Sequence, residues 1–375
     1  MKKVVIIYRT LFQYRKEFYN QLRHSLLEDN IELWVIYGKS KDDSFKSRND
    51  QIDLEWGKFI KNKVVNIGNK ELIWQPCLKD LKDADMVIVE QANKLLINYY
   101  LMFARHWLNL KFCYWGHGRN RQMKEDSIYN KFKYLFIKNC DWWFAYTQGV
   151  KDFLIDMGYP KNKITSVQNA IDTNELKGQY SRVNQTEVEE IKKELNIISD
   201  CVGIYCGAMY AEKRIDFILE ACYRIKELIP EFNMIFIGSG EDLYKVERAA
   251  TNHDWIYSLG SKFGEDRVKY FKIAAVQIMP GAVGLGILDS FTMETPLVTT
   301  IQDFHGPEIY YLENGKNGVI TNDNIEEYTN ALVELLISKK YIEMADYCKL
   351  CAGKYTMENM VENFKAGILN CLGDY

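Results

Sequence analysis

The chain has 375 residues, 47% of them hydrophobic and 26% charged, with only 6 prolines, a composition that excludes a disordered or fibrous protein. At roughly 100–200 residues per domain, this length allows two or three domains, each able to bury its own core. The net charge of −3 conceals a split: residues 1–170 carry 28 Lys and Arg against 19 Asp and Glu, and the remainder carries 20 against 32. A basic half joined to an acidic half points to two domains that face different partners.

The nine cysteines are scattered and odd in number, which fits a reducing compartment without a disulfide framework. Met1, Lys2 and Lys3 lead into a short apolar run that Arg9 ends, so no secretory signal is expected there. The longest apolar stretch, residues 95–104, contains Asn98 and falls short of the ~18–20 residues a membrane span needs. The expectation is a cytoplasmic protein, soluble or lying on the inner face of the cell membrane.

In chain order, strands are predicted at residues 4–8, 32–37, 86–90, 111–115, 142–146 and 164–168 in the first half. In the second half they are predicted at residues 201–206, 233–237, 255–259, 275–279, 296–300 and 318–321. These are nearly continuous apolar runs, as parallel strands covered on both faces require. Helical periodicity falls between them at 215–228, 267–273 and 325–336, and again at 356–372. The order βαβα occurs twice, which predicts an α/β protein with two doubly wound, Rossmann-like domains. A polar stretch from Asp172 to about Asp200 marks the boundary, giving domains 1–172 and 173–355. Within it, Thr186 to Glu189 reads as a capping box opening a charged helix, with Glu189 and Lys193 paired one turn apart.

The chemistry concentrates in four loops of the second half. The most informative runs from Met279 through Gly281, Val283, Gly284, Leu285 and Gly286 to Asp289, where a strand ends and a helix begins. Glycines at such a turn let backbone N–H groups approach an anion at a helix start, and Asp289 can accept bonds from vicinal hydroxyls. The spacing is neither the dinucleotide fingerprint nor a P-loop. Gly207 to Asp216 follows another strand and brings Lys213 within reach of a phosphate. Gly238-Ser-Gly240 ends a third strand, and His305-Gly-Pro-Glu308 follows a fourth. All four segments lie at carboxyl ends of predicted parallel strands, where open α/β sheets bind ligands.

With these segments in place, the sequence resembles the retaining glycosyltransferases of the GT-B fold, family 4. Gly207 to Asp216 is similar to that family's lysine-bearing segment, Gly238-Ser-Gly240 to its glycine pair, and Gly281 to Asp289 to its E-x7-E segment. Pro280 to Leu285 with His305 to Glu308 matches a subgroup with P-G-x-V-G-L and H-G-P-E motifs. In the first half, Trp115-Gly-His117-Gly-Arg119, Asp141 to Thr147 and Lys163 to Asp172 also look like that subgroup. Three departures stand out: Ala208 replaces the arginine that partners the lysine on the donor diphosphate, Gly281 replaces the first glutamate, and the shorter Asp289 replaces the second.

The resemblance implies a metal-independent hexosyltransferase without a cofactor, moving a sugar from a nucleotide-diphosphate sugar to a glycan acceptor. The family also implies a polyprenyl-linked acceptor and a role in surface polysaccharide synthesis. It places acceptor binding in the first domain, the donor in the second, the active site in the cleft between, and a C-terminal helix, residues 356–375, returning to the first domain. His117, Lys213 and Glu308 are the implied catalytic residues. Gly207, Gly238, Gly281, Val283, Gly284, Leu285, Asp289 and His305 are implied for the donor, although His305 suits a packing role equally. Arg9, Arg15 and Arg119 are candidate phosphate or acceptor contacts in place of the absent arginine. Two alternatives stay open, a catalytically inactive GT-B subunit and a nucleotide-sugar epimerase.

Metal binding is not expected, since Cys348 and Cys351 form a single pair on a predicted helix without a second pair at zinc spacing. Residues 93–108 are aromatic and aliphatic and residues 129–138 interleave aromatic and basic side chains, which suits either a segment resting on an anionic membrane or an ordinary core helix with a solvated basic face. Nucleic acid is excluded as a partner by the acidic second half and the absence of a recognition motif.

Overall fold

A computed structural model describes residues 1–39, 51–68, 70–118, 134 and 136–373. The chain divides into two compact units, one formed by Met1–Asp172 with Thr356–Tyr375, the other by Thr173–Tyr355.

The first unit runs β1 (Lys2–Tyr8), α1 (Lys16–Leu27), β2 (Ile31–Tyr37), β3 (Lys58–Phe59), β4 (Lys63–Ile67), β5 (Lys70–Trp74), β6 (Met86–Glu90), α2 (Leu96–Leu108), β7 (Lys111–Gly116), β8 (Trp142–Ala145), α3 (Gln148–Asp156) and β9 (Ile164–Ser166). Seven of the strands form one parallel sheet in the order β3-β2-β1-β6-β7-β8-β9. Val4 to Ile7 in β1 and Met86 to Val89 in β6 are at most 1% exposed, which explains runs without polar alternation. The antiparallel hairpin β4–β5 stands apart from that sheet and escapes the sequence reading, because its strand β4 is exposed along its whole length and carries no core pattern.

The second unit runs α4 (Asn174–Arg182), α5 (Gln185–Glu194), β10 (Val202–Cys206), α6 (Ile215–Leu228), β11 (Asn233–Ile237), α7 (Leu243–Asn252), β12 (Ile256–Ser258), α8 (Glu265–Ile273), β13 (Val276–Ile278), α9 (Gly286–Thr292), β14 (Leu297–Thr300), β15 (Gly318–Thr321), α10 (Ile325–Ser338) and α11 (Tyr341–Lys354). Its six strands are parallel in the order β12-β11-β10-β13-β14-β15. The polar stretch after Asp172 belongs here, because Leu176, Tyr180, Ile191 and Leu195 join this unit's core. Its capping box is built by Asn184 and Glu187, and Thr186 lies inside α5. That corrects the predicted cap by two residues, since Asn184 rather than Thr186 has the extended backbone a cap needs.

The terminal helix α12 (Met357–Leu372) packs against α1, β8 and β9 of the first unit. Phe364 drives this: its ring stacks on Phe144 at 4.4 Å and meets Phe18 and Trp115 edge-on. Gly367 lets the helix close in, because a Cβ there would stand 2.7 Å from both Phe144 and Thr165. Two Rossmann-like units with the last helix on the first make this the GT-B class of α/β fold.

Candidate functional site

In each sheet the chain reverses its direction of winding once, between β1 and β6 in the first unit and between β10 and β13 in the second. Ligands of doubly wound sheets bind outside the carboxyl ends of strands at such points. In the second unit the loops leaving β10, β11, β13 and β14 meet there.

Two of these loops are laced together by backbone. The Gly207 amide donates to Ile237 O at 3.0 Å and the Met209 amide to Ser239 O at 2.8 Å. Gly238, at φ 147°, admits no side chain, since its Cβ would stand 1.8 Å from Gly207 O. Gly238 therefore shapes the site by its close approach to the Gly207 backbone. Ala208, at the position of the absent arginine, is exposed.

Lys213 and Gly281 are brought together by the same device. A Cβ on Gly281 would stand 2.2 Å from Glu212 O and 2.7 Å from Lys213 Cα. The Ala282 amide donates to Glu212 O at 2.9 Å, and Lys213 Nζ donates to Ala282 O. A glutamate has no room at this position, because the turn carrying the lysine occupies the space. Burial lowers the Lys213 ammonium to about 8.

The rest of the glycine loop is fixed by His305, which is 4% exposed. Its Nδ1 accepts from the Val283 amide at 3.1 Å and its Nε2 lies 2.7 Å from Thr300 O. A nitrogen that accepts an N–H carries no proton, so the hydrogen-bond network assigns a neutral ring whose Nε2–H donates to Thr300 O. The Gly306 amide donates to Val283 O at 2.6 Å. His305 is thus a staple between two loops, the packing role left open by its sequence context. Val283 is a buried anchor, and the Gly284 and Leu285 amides make no hydrogen bond among the described residues. Glu308, 4% exposed, places Oε2 4.0 Å from where a Gly284 Cβ would stand.

Asp289 has a partner the sequence reading missed. Arg267 Nη1 lies 3.0 Å from Asp289 Oδ2. Burial pushes the Asp289 carboxyl up and the guanidinium pulls it partly back. Burial opposes the charge on Arg267 too, but Asp289 and Cys206 prevail and raise it. The sequence held one signal: Arg267 sits in the first turn of α8, where the helix dipole disfavours a cation, so another interaction has to hold it there.

In the first unit, His117 follows β7 and packs its ring on Tyr146 at 5.0 Å, and the Tyr146 hydroxyl lies 3.4 Å from that of Tyr8. Arg15 is not available to a phosphate, which corrects that expectation: it is 1% exposed, donates to Asn169 Oδ1 and Ala170 O, and lies over the Trp115 ring at 5.2 Å. Arg9 is half-buried at the end of β1. Arg119 lies outside the described residues, as do most of residues 129–138, including Lys131, Phe132 and Lys133.

Helix α2 turns Ile97, Leu101, Met102 and Ala104 inward and leaves Tyr100, Phe103 and Trp107 outward, 43%, 64% and 86% exposed. Among the described residues, no helix is long and apolar enough to cross a membrane. Cys348 and Cys351 are buried thiols bonded to Asn317, and no group of residues able to hold a metal ion occurs among the described residues.

Residues 200–338, which contain all four loops, match the family model for glycosyl transferases group 1. An uncharacterized glycosyltransferase of Haemophilus influenzae is 23% identical over 301 residues, 78% of each chain. The GtfA subunit of a UDP-N-acetylglucosamine–peptide N-acetylglucosaminyltransferase from Streptococcus agalactiae is 18% identical, covering 96% of this chain and 68% of that one. Among solved structures, Anabaena HepE in complex with UDP superposes with a TM-score of 0.68 at 12% identity, over 98% of this chain and 99% of that one. The lipopolysaccharide outer core galactosyltransferase WaaB, in its apo form, gives 0.66 at 16% identity over 98% and 99%. At these identities the structural likeness concerns the fold, and the family match concerns residues 200–338.

Proposed function

We propose that the chain is a retaining glycosyltransferase of family 4 type. In this reading it moves a hexosyl group from a nucleotide-diphosphate sugar to a polyprenyl-linked glycan in surface polysaccharide synthesis, at the inner face of the membrane and without a metal. The observation that carries the reading is Lys213, bonded through Nζ to the glycine loop at the point where the second sheet reverses. At neutral pH this ammonium is charged, and the same loop carries the amides of Gly284 and Leu285, which make no hydrogen bond among the described residues. Together they meet a leaving diphosphate's charge, at ~1.5–3 kcal/mol per charge-assisted bond. Asp289, aimed by Arg267, takes the ribose hydroxyls, and Glu308 faces the sugar across Gly284. In the first unit the proposal assigns His117 to the reaction and the basic surface to the acceptor.

The step breaks the bond between the anomeric carbon and the diphosphate oxygen and forms one to the acceptor oxygen on the same face. The acceptor's proton passes to the departing diphosphate. Stabilisation counts only where it grows as charge develops on that oxygen, which is where a fixed lysine and fixed amides act.

UDP is the first nucleotide to test, because the Anabaena structure was solved with it. Calorimetry should show UDP binding to the full chain, and Lys213→Ala should weaken it at least tenfold and abolish donor hydrolysis. Full activity in that variant sinks the phosphate assignment. The exposed Ala208 and the filled position at Gly281 favour one rival, a non-catalytic subunit. No turnover with any common donor, together with tight binding to a partner protein, supports it.

A further inference from the structure

A cavity lies in the first unit. It measures about 230 Å³ and opens among the carboxyl ends of β1, β2 and β3. That is smaller than the ~300–1,000 Å³ of sites that enclose a whole drug-sized ligand, so it suits one end of a larger molecule.

Three cations line it, one from each strand end. Arg9 follows β1, Lys39 follows β2 by two residues and Lys61 follows β3 by two. Arg9 Nε is buried without a hydrogen-bond partner, and its guanidinium makes no hydrogen bond or ion pair among the described residues. Asn62 Nδ2 holds the backbone beneath it through Arg9 O at 3.1 Å. Lys61 is likewise unpaired among the described residues, and Lys39 meets the exposed Asp53 at 2.8 Å. Glu71 supplies the cavity's acidic group, already bridged to Lys94 at 3.5 Å. A half-buried cation without a counter-charge is costly, and a bound anion relieves that cost.

The other wall is apolar, formed by Phe59, Ile60, Val64 and Ile73. A sugar would ask that wall for hydrogen-bonding groups it does not have. A planar guanidinium flanked by two ammonium groups matches the several oxygens of a phosphate better than the two of a carboxylate.

We propose that this cavity binds the phosphate end of an organic phosphate whose adjoining carbon atoms are apolar. The inference deepens the proposed function by giving the acceptor a charged anchor, and it rests on that reading for the ligand's role. Binding itself is tested apart from turnover.

The probes are farnesyl phosphate and phenyl phosphate, standing for a lipid-linked and a soluble source, with farnesol and inorganic phosphate as comparisons, titrated into the full chain by calorimetry. At least one phosphate ester should bind, with farnesol and inorganic phosphate at least tenfold weaker. The double variant Arg9→Met, Lys61→Met keeps the apolar stems and should lose at least tenfold in affinity, whereas Arg9→Lys with Lys61→Arg should retain most of it. Thermal melts of both variants establish that they fold. Undiminished binding in the methionine variant, or farnesol binding as tightly as farnesyl phosphate, overturns the proposal. A wild-type chain that binds UDP but neither ester overturns this site and leaves the transferase reading standing. One that binds an ester but no nucleotide diphosphate does the reverse.

Discussion

Arg267 and Asp289 stand 3.0 Å apart at the carboxyl edge of the second sheet, one opening α8 and the other in the first turn of α9. The carboxylate is fixed from the side, by a guanidinium whose Nε is itself buried without a hydrogen-bond partner among the described residues. An aspartate reaches one methylene less far than a glutamate, and a fixed partner compensates by removing the freedom of its short side chain.

If Asp289 holds a donor ribose, Arg267 is a positioning residue and its loss acts through Asp289. Arg267→Met should weaken UDP binding about tenfold, with partial recovery in Arg267→Lys. In a double-mutant cycle, Arg267→Met added to Asp289→Asn should cost little more than Asp289→Asn alone, a coupling of ~0.5–3 kcal/mol. Calorimetric UDP titrations of the four proteins decide it. Strictly additive losses show that the two side chains act independently.

The strands were legible in the sequence because parallel strands buried on both faces write continuous apolar runs, as in Val4 to Ile7 and Met234 to Ile237. The exposed strand β4 and the two-residue β3 bury too little to write any pattern. The four loops of the second unit were legible through their glycines and Lys213. What Gly281 excludes was not, because the backbone of Glu212 and Lys213 that fills its side is 69 and 68 residues away in the chain. Arg15 misled for the opposite reason: its charge is visible in sequence, but its burial over Trp115 follows from the fold.

The half-buried Lys213 makes donor binding depend on pH. A diphosphate binds the ammonium, so it raises a lysine that burial has lowered to about 8. Below pH 8 the free protein is already charged and UDP affinity should be flat. Above it, each pH unit should weaken binding by up to tenfold, because the proton must be taken up on binding. Without ligand the sign for stability is opposite. The charged lysine weakens the fold below pH 8, and that cost fades as pH rises from about 8 toward the ordinary 10.5. Titrations between pH 7 and pH 9.5 in Lys213→Met should lose the dependence. A wild-type affinity that stays flat across this range shows that Lys213 does not meet the phosphate.

Placing a glutamate at position 281 should harm the protein. Even Gly281→Ala places a Cβ 2.2 Å from Glu212 O, against backbone that a rotamer change cannot relieve. Overpacking of this kind costs ~1–3 kcal/mol, and here it pushes on the turn that carries Lys213. Both Gly281→Ala and Gly281→Glu should melt several degrees lower and bind UDP more weakly. A Gly281→Glu protein of wild-type stability and higher turnover shows that the position is open to the donor after all.

Helix α2 supplies the last test. Tyr100, Phe103 and Trp107 repeat at three and four residues along the outward side, and between Gln91 and Lys124 the sequence has no acidic residue. Full burial of a large apolar side chain is worth ~1.5–3 kcal/mol, and each cation near an anionic surface adds on the order of 1 kcal/mol. Two of the local cations are partly engaged, Lys94 by Glu71 at 3.5 Å and Arg105 by Asp141 at 3.5 Å, so the rings should carry most of any membrane affinity. Phe103→Ser with Trp107→Ala should therefore lower partition onto phosphatidylglycerol-containing vesicles at least tenfold. The melting temperature should hardly move, because both rings are already exposed. Raising the salt should weaken the wild type only moderately, whereas Lys94→Gln with Lys111→Gln should abolish the salt effect with a smaller loss of binding. Flotation of the three proteins with and without the anionic lipid separates these terms. Equal partition of wild type and ring variant excludes α2 as the membrane face.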